Sequence, residues 1–139
     1  MRNRSRSREC ALQMLYQVDI RHAEARQVLE EFWQGHEPTP EDIRAYADEL
    51  VEGTMAHRQE LDALIAGHAD NWNLNRMAVI DRNILRLGAF ELLHVEGTPA
   101  KVCINEAIEL SKRFGDTESG KFINGILDAI HKKHPSAKG

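Results

Sequence analysis

Several features that would indicate a membrane, secreted or redox protein are missing from this sequence of 139 residues. The two cysteines, Cys10 and Cys103, are far apart and form no CxxC pair, so we interpret them as reduced, apolar core residues. No segment approaches the ~18 consecutive apolar residues that a membrane-spanning helix needs. Gln13, Gln17 and Asp19 interrupt the first apolar stretch, which argues against a secretory signal. We therefore expect a cytoplasmic protein that makes no membrane contact.

The arrangements that support catalysis are scarce as well. The sequence has no complete glycine-rich phosphate loop and no serine with an obvious histidine partner. His131 and His134 are three residues apart but directly precede Pro135, and His57 and His68 fit the edge of a core, so no metal site is predicted. We expect no catalytic residue, no cofactor and no enzyme activity, and we favour a binding function.

The alternating pattern of β-strands is also missing, and apolar residues recur instead with a period of 3.6. This pattern predicts an all-α chain of six or seven helices. Apolar residues occur on nearly every side of the segment 76–95, which predicts a central, buried helix. Thr39-Pro40-Glu41-Asp42 predicts a helix that starts with Thr39 as its N-cap, and the stripe that follows reaches His68 in one long or slightly bent helix.

Three residues interrupt the apolar stripes of the last two predicted helices. Asn105 and Asn124 are interpreted as buried amides that bond to a neighbouring helix or loop, with RNA contacts as the alternative. Gly125 lies inside a helix, where glycine costs about 1 kcal/mol relative to alanine. We therefore expect Gly125 to mark a close approach between helices.

Charge is distributed unevenly along the chain, which carries a net charge of −4. Residues 24–70 contain three basic and twelve acidic residues, a net charge of −9, whereas residues 1–23 and 71–139 carry net charges of +3 and +2. The middle third is therefore a poor surface for nucleic acid, and the two ends are better ones.

Two basic clusters at the ends of the chain indicate nucleic-acid binding. The first is an arginine-rich arm, Arg2, Arg4, Arg6 and Arg8, in which each guanidinium can bind phosphate through two donors. The second combines Lys112-Arg113-Phe114 with Lys121-Phe122. Cations beside aromatic rings suit an unpaired strand, because they bind its backbone while a ring stacks on a base. The alternatives are a solvated arm that binds nothing and phenylalanines that only pack in the core.

Three stretches carry a family resemblance. They are RECALQMLY at 8–16, IDRNILRLGAFEL at 80–92 and INEAIELSKRFGDTESGKFINGILDAI at 104–130. Together they resemble the NusB family of bacterial transcription factors. The resemblance implies an all-α fold of two perpendicular three-helix bundles that share a core. It implies one RNA-binding domain over 1–139, with an N-terminal bundle at about 9–70 and a C-terminal bundle at about 71–132.

The resemblance also implies a function and partners. NusB-like proteins bind the single-stranded boxA element of nascent ribosomal RNA together with NusE, a ribosomal protein. The pair joins RNA polymerase and other Nus factors, and it suppresses premature termination on ribosomal RNA operons. The oligomeric state stays open, because some relatives form homodimers.

Site residues follow from the resemblance by position. The residues that it places at RNA are Arg4, Arg6, Arg8, Glu118, Ser119, Lys121 and Phe122. The residues that it places at NusE are Tyr16, Asp81 and Arg82. Two other functions remain alternatives. One is a non-enzymatic helical interaction module with an inert basic arm. The other is the helical RNA-binding domain found in RNA cytosine methyltransferases, for whose cofactor-binding domain 139 residues leave no room.

Overall fold

The computed structural model describes residues 2–69, 74–116 and 118–135, with the side chain of Arg2 outside that description. The described residues form seven α-helices, one short 3₁₀ turn and no β-strand, which confirms the all-α prediction. The helices are α1 Arg2–Arg21, α2 Ala25–Gly35, α3 Glu41–Ala56, α4 Arg58–His68, α5 Val79–His94, α6 Ala100–Phe114 and α7 Ser119–Lys133, with the 3₁₀ turn at Leu74–Arg76. None of these helices is both long and apolar enough to cross a bilayer.

Helix α5 is the centre of the fold, as the segment 76–95 predicted. Ten consecutive residues, 83–92, are buried, and α5 packs against α1, α3, α4, α6 and α7. Helices α1, α2 and α3 pack against one another on one side of α5, and α6 packs against α7 on the other. Helix α4 contacts both α5 and α7. One continuous core of buried side chains therefore runs through both sides of the molecule.

The predicted long helix between Thr39 and His68 is wrong in two details. The chain breaks at His57, which ends α3 and precedes α4. The N-cap of α3 is Pro40, whereas the hydroxyl of Thr39 donates a hydrogen bond to the carbonyl of Glu37, 3.0 Å away. Turn formation before Pro40 therefore competes successfully for the hydroxyl that was expected to cap the helix.

The expectations for the interrupted stripes of α6 and α7 are wrong. Asn105 and Asn124 are both exposed, so neither is a buried amide. A Cβ at Gly125 would meet nothing within 4 Å, so this glycine marks no close approach. The close approach is in α3, where a Cβ at Gly53 would lie 2.1 Å from Cζ of Phe90. Only glycine lets the ring of Phe90 lie against the backbone of α3.

Candidate nucleic-acid interface

The predicted arm is the beginning of α1 rather than a separate extended segment. Helical geometry places residues four apart on the same side, so Arg4 and Arg8 share one side of α1. Arg4 and Arg6 are exposed. The guanidinium carbon of Arg4 lies 3.9 Å from the centre of the Tyr46 ring, within the range of a cation–π contact. This contact ties the first turns of α1 to α3.

Arg8 has a different environment, because its side chain is only 2 % exposed. Its Nε and one terminal nitrogen donate to the carboxylate of Glu91 at 2.8 and 2.6 Å, and its other terminal nitrogen donates to Glu106 at 2.6 Å. Burial alone would lower the pKa of Arg8, but the hydrogen bonds and negative charges of Glu91 and Glu106 raise this pKa above its usual range. The guanidinium is thus fully engaged inside the protein.

Two further groups complete this buried cluster. The hydroxyl of Tyr46 donates to the carboxylate of Glu91, and the hydroxyl of Ser5 donates to Glu106. Burial, with the hydrogen bond to Glu91, raises the pKa of Tyr46 to about 12, so this side chain stays a neutral donor at physiological pH. The cluster fixes the first two turns of α1 against α3, α5 and α6.

The start of α1 also contacts the C-terminal end of α6. A terminal nitrogen of Arg113 lies 3.1 Å from a carboxylate oxygen of Glu9, and both groups are near the surface. The guanidinium carbon of Arg113 lies 5.6 Å from the centre of the Phe114 ring. This contact places the first turns of α1 beside the end of α6, five residues before α7 begins.

The side of α6 that bears Lys112 forms a groove with α7. The groove encloses about 550 Å³, and its lining residues are Ile108, Ser111, Lys112, Asp116, Gly120, Lys121 and Asn124. Lys112, Lys121 and Asn124 are exposed. We call Arg4, Arg6, Lys112, Arg113 and Lys121 the cationic edge.

The remaining residues predicted to contact RNA differ in accessibility. Glu118 is exposed and directly precedes α7, whereas Ser119 is 5 % exposed. Phe122 is half-buried and packs against the core. A phenylalanine in this position contributes to packing and still presents part of its ring to solvent.

A second ion-pair cluster lies at the residues that the resemblance places at a partner. Arg82 donates two hydrogen bonds of 2.7 Å to the carboxylate of Asp19, which also accepts from Asn83 and from Arg86. Burial of Asp19 would raise its pKa, but the hydrogen bonds from Arg82 and Asn83 and the charges of both arginines lower it to about 2. Arg86 also donates to Asp62 at 2.7 Å. Arg82 therefore serves the interior, with 16 % of its side chain exposed.

Tyr16 and Asp81 lie on α1 and α5, the two helices that contribute Asp19 and Arg82 to this second cluster. Tyr16 is half-buried and precedes Asp19 by three residues on α1, so both lie on one side of that helix. Asp81 is in the first turn of α5, and its Oδ1 would be 3.2 Å from a Cβ placed on Gly115. The structure therefore places Asp81 beside the α6–α7 connection, next to the residues predicted to contact RNA.

Sequence reasoning missed the carboxylates that organise both clusters. Glu91, Glu106 and Asp19 were not among the predicted site residues, although each is part of the contacts just described. A signal was present in the sequence, because Arg86 and Glu91 are the only charged residues of the apolar segment 84–93. Charges at such positions are usually paired.

These features define an all-helical protein with an exposed cationic edge and with arginines held by carboxylates around a central helix. Its sequence matches the NusB family over residues 5–132. A relative from Myxococcus xanthus, named transcription antitermination protein NusB, is 48 % identical over 130 residues, which cover 91 % of this chain and 93 % of that protein. The chain belongs to the NusB family.

Solved structures agree with this membership. A structure of NusB from T. maritima is 39 % identical and matches with a TM-score of 0.87, covering 94 % of this chain and 92 % of that one. A structure of the antitermination factors NusB and NusE in complex with double-stranded RNA is 30 % identical. It matches with a TM-score of 0.88 over 96 % of this chain and 99 % of that one.

Proposed function

We propose that this protein is a transcription antitermination factor that binds boxA RNA jointly with NusE. It acts in the cytoplasm, on nascent ribosomal RNA, as part of a complex of RNA polymerase with other Nus factors. Its role requires binding alone and no covalent step. The observation that carries the proposal is the ion pair of 3.1 Å between Glu9 and Arg113. This pair brings the start of α1, which carries Arg4 and Arg6, against the end of α6, which carries Lys112 and Arg113, in a member of the NusB family.

Within this proposal, the arginines of α1 have two roles. Arg4 and Arg6 are exposed and able to contact phosphates. Arg8 is a positioning residue, because its donors are used by Glu91 and Glu106 and its side chain is 2 % exposed. Its part in RNA binding is to fix the first turns of α1, which carry Arg4 and Arg6.

The groove between α6 and α7 supplies the second half of the RNA site. Lys121 provides a charge and Asn124 provides an amide that can bond to a base, and both line the groove. The exposed part of Phe122, which is on α7 but outside the groove lining, provides a stacking surface. Glu118 and Ser119 shape the turn that leads into the groove, with Glu118 at its surface and Ser119 buried beneath it.

NusE is proposed to dock beside this edge, at Tyr16 and Asp81. Arg82 contributes by fixing the start of α5 through Asp19. A ribosomal protein is expected to be basic, and the acidic segment 24–70, with its net charge of −9, attracts a basic partner. The two proposed halves of the fold, about 9–70 and about 71–132, thus divide the work. The first supplies long-range attraction, and the second supplies most of the groove.

A titration of fluorescent single-stranded boxA RNA tests this proposal. Arg4→Ala/Arg6→Ala is compared with Arg26→Ala, which removes an arginine that is 75 % exposed from the acidic segment. With about four phosphate contacts, the logarithm of affinity should fall with the logarithm of salt concentration at a slope of roughly −3. The double variant should reduce the slope to roughly −1.5, and Arg26→Ala should leave it unchanged. An unchanged slope for both variants would favour an interaction module with an inert arm.

A second set of titrations tests the joint binding. Adding NusE should tighten binding to boxA RNA more than to a scrambled strand or to an RNA duplex, because only boxA would engage both proteins. Equal increases in affinity for all three RNAs would contradict the proposal that the protein recognises boxA. Light scattering of the free protein over a concentration series tests the homodimer, since a constant monomer mass excludes it.

A further inference from the structure

Three side chains that the proposed function does not use form a cluster at the C-terminal end of α5. His57 lies between α3 and α4, Glu60 is in the first turn of α4, and His94 is the last residue of α5. Each offers one nitrogen or oxygen ligand atom, and the three atoms lie within 4.8 Å of one another. We propose that His57, Glu60 and His94 bind a zinc-class transition-metal ion.

The orientation of His57 favours this role. Its Nδ1 lies 2.9 Å from the carbonyl oxygen of Gly53, which can only accept a hydrogen bond. Nδ1 of His57 therefore carries the proton, and Nε2 carries the lone pair that a metal needs. Histidine ligands in metal sites are commonly oriented in this way, by a carbonyl or carboxylate that accepts from the other ring nitrogen.

The other two residues already share a proton that a metal ion can replace. Nε2 of His94 lies 2.8 Å from a carboxylate oxygen of Glu60. A Zn²⁺ ion bound at about 2.0–2.1 Å from each ligand atom holds those atoms about 3.3 Å apart in tetrahedral geometry. The cluster therefore has to contract by about 1.5 Å at most. The contact of 2.8 Å between His94 and Glu60 is already shorter than this, so the contraction has to bring His57 and that pair together.

Aromatic contacts hold the two histidine rings next to each other, and binding one ion requires the rings to turn until both ligand nitrogens face it. The rings of His57 and His94 stack with centres 4.1 Å apart, and Phe90 lies beneath them at 5.7 and 5.5 Å. A groove of about 590 Å³ lined by residues 55–60 leaves the cluster open to solvent. The nearby cation Arg58 lies 3.6 Å from Asp62, a carboxylate that it shares with Arg86.

The donor set selects the metal. Two imidazoles and one carboxylate suit Zn²⁺, Ni²⁺ or Cu²⁺, whereas Mg²⁺ and Ca²⁺ prefer sites made of oxygen. Water would occupy the fourth position, as in other sites with three protein ligands. A bound ion would join the α3–α4 junction to the end of α5, so its expected effect is on stability.

Calorimetric titration of the full chain with ZnCl₂ tests the site. We expect one saturable site per chain, a rise in melting temperature with Zn²⁺, and no response to Mg²⁺. His94→Gln and Glu60→Gln should each weaken Zn²⁺ binding about tenfold or more. Circular dichroism checks that both variants are folded, and Glu60→Gln provides the test if His94→Gln is not.

Two matched variants separate this cluster from other histidines. His22→Asn removes an exposed histidine at a position with φ of 53°, a conformation that asparagine tolerates. His134→Gln removes a histidine from the pair at the end of α7. Both should bind Zn²⁺ as the unaltered protein does. The proposal is wrong if no saturable binding occurs, if His94→Gln and Glu60→Gln bind normally, or if only His134→Gln loses binding.

Discussion

Arginine side chains are exposed in one region of this molecule and buried in another. At the cationic edge, Arg113 is 64 % exposed and pairs with Glu9 at the surface. Around α5, Arg8 and Arg86 have side chains that are 2 % and 5 % exposed, and each is held by two carboxylates. The residue type is the same, and the difference is whether α5 and its neighbours offer a buried carboxylate within reach.

The two regions also differ in what their ion pairs accomplish. An exposed pair gains little stability, because water and salt screen its charges. Breaking a buried pair costs more stability, because the partner that remains is an uncompensated charge in the interior. The buried pairs therefore specify how α1 and α5 dock, and the exposed cations stay available for a ligand. Variants in matched pairs can test this division.

The largest expected effect is at Glu91. The carboxylate of Glu91 faces the buried guanidinium of Arg8 and accepts a hydrogen bond from Tyr46, and Glu91→Gln removes its negative charge. We expect a loss of about 3–5 kcal/mol in the free energy of unfolding, measured in urea, because Arg8 keeps its charge in the interior. The matched variant Glu9→Gln breaks the surface pair with Arg113 and should cost at most about 1 kcal/mol.

A rescue variant sharpens this first prediction. Arg8→Met, Tyr46→Phe and Glu91→Leu together remove both buried charges and the hydroxyl that donates to Glu91, and should recover much of the stability lost in Glu91→Gln. Similar losses for Glu91→Gln and Glu9→Gln would contradict the proposed difference between the two regions.

The next effect is the pH dependence caused by Asp19. Its pKa in the folded protein is lowered to about 2 from a usual value of 3.8. A lowered pKa stabilises the fold above the usual pKa, and that stability is lost as the pH falls from about 4 towards 2. The shift corresponds to about 2 kcal/mol. Asp19→Asn should lose this dependence, so its curve of unfolding free energy against pH should approach that of the unaltered protein below pH 3. Parallel curves would show that Asp19 gains nothing from its arginines.

The sequence predicted the helical class and the central position of α5, because a period of 3.6 and a helix that is apolar all round are properties of the chain itself. It could not separate Arg8 from Arg4 and Arg6. Their local patterns are alike, and the partners of Arg8 are 83 and 98 residues away. That all three arginines contact RNA stays a prediction. The burial of Arg8 separates its proposed role, which is to position α1, from the direct phosphate contacts proposed for Arg4 and Arg6.

The metal cluster escaped prediction for a related reason. His57 and Glu60 are three residues apart, but His94 joins them only through the packing of α4 on α5. The close approach between helices was assigned to the wrong glycine for the same reason. Gly125 interrupts a helix visibly in the sequence, whereas the ring that requires Gly53 comes from a distant helix. Contacts between distant segments decide both cases, and periodicity carries no information on them.

The smallest expected effects come from one substitution, glycine to alanine, made once in the interior and once on the open side of α7. Gly53→Ala forces a methyl group against Phe90 in the interior, where overpacking costs about 1–3 kcal/mol and exceeds the gain of about 1 kcal/mol in helix propensity. Gly125→Ala adds a methyl group to the open side of α7, so only the propensity gain remains, and we expect about 0.5–1 kcal/mol of stabilisation. Urea unfolding of both variants measures the two changes.

Because Gly125→Ala lies one residue from Asn124 and leaves every contact of the cationic edge in place, it should also bind RNA with unchanged affinity. A stabilised variant with weaker RNA binding would mean that RNA reaches further along α7 than the groove extends.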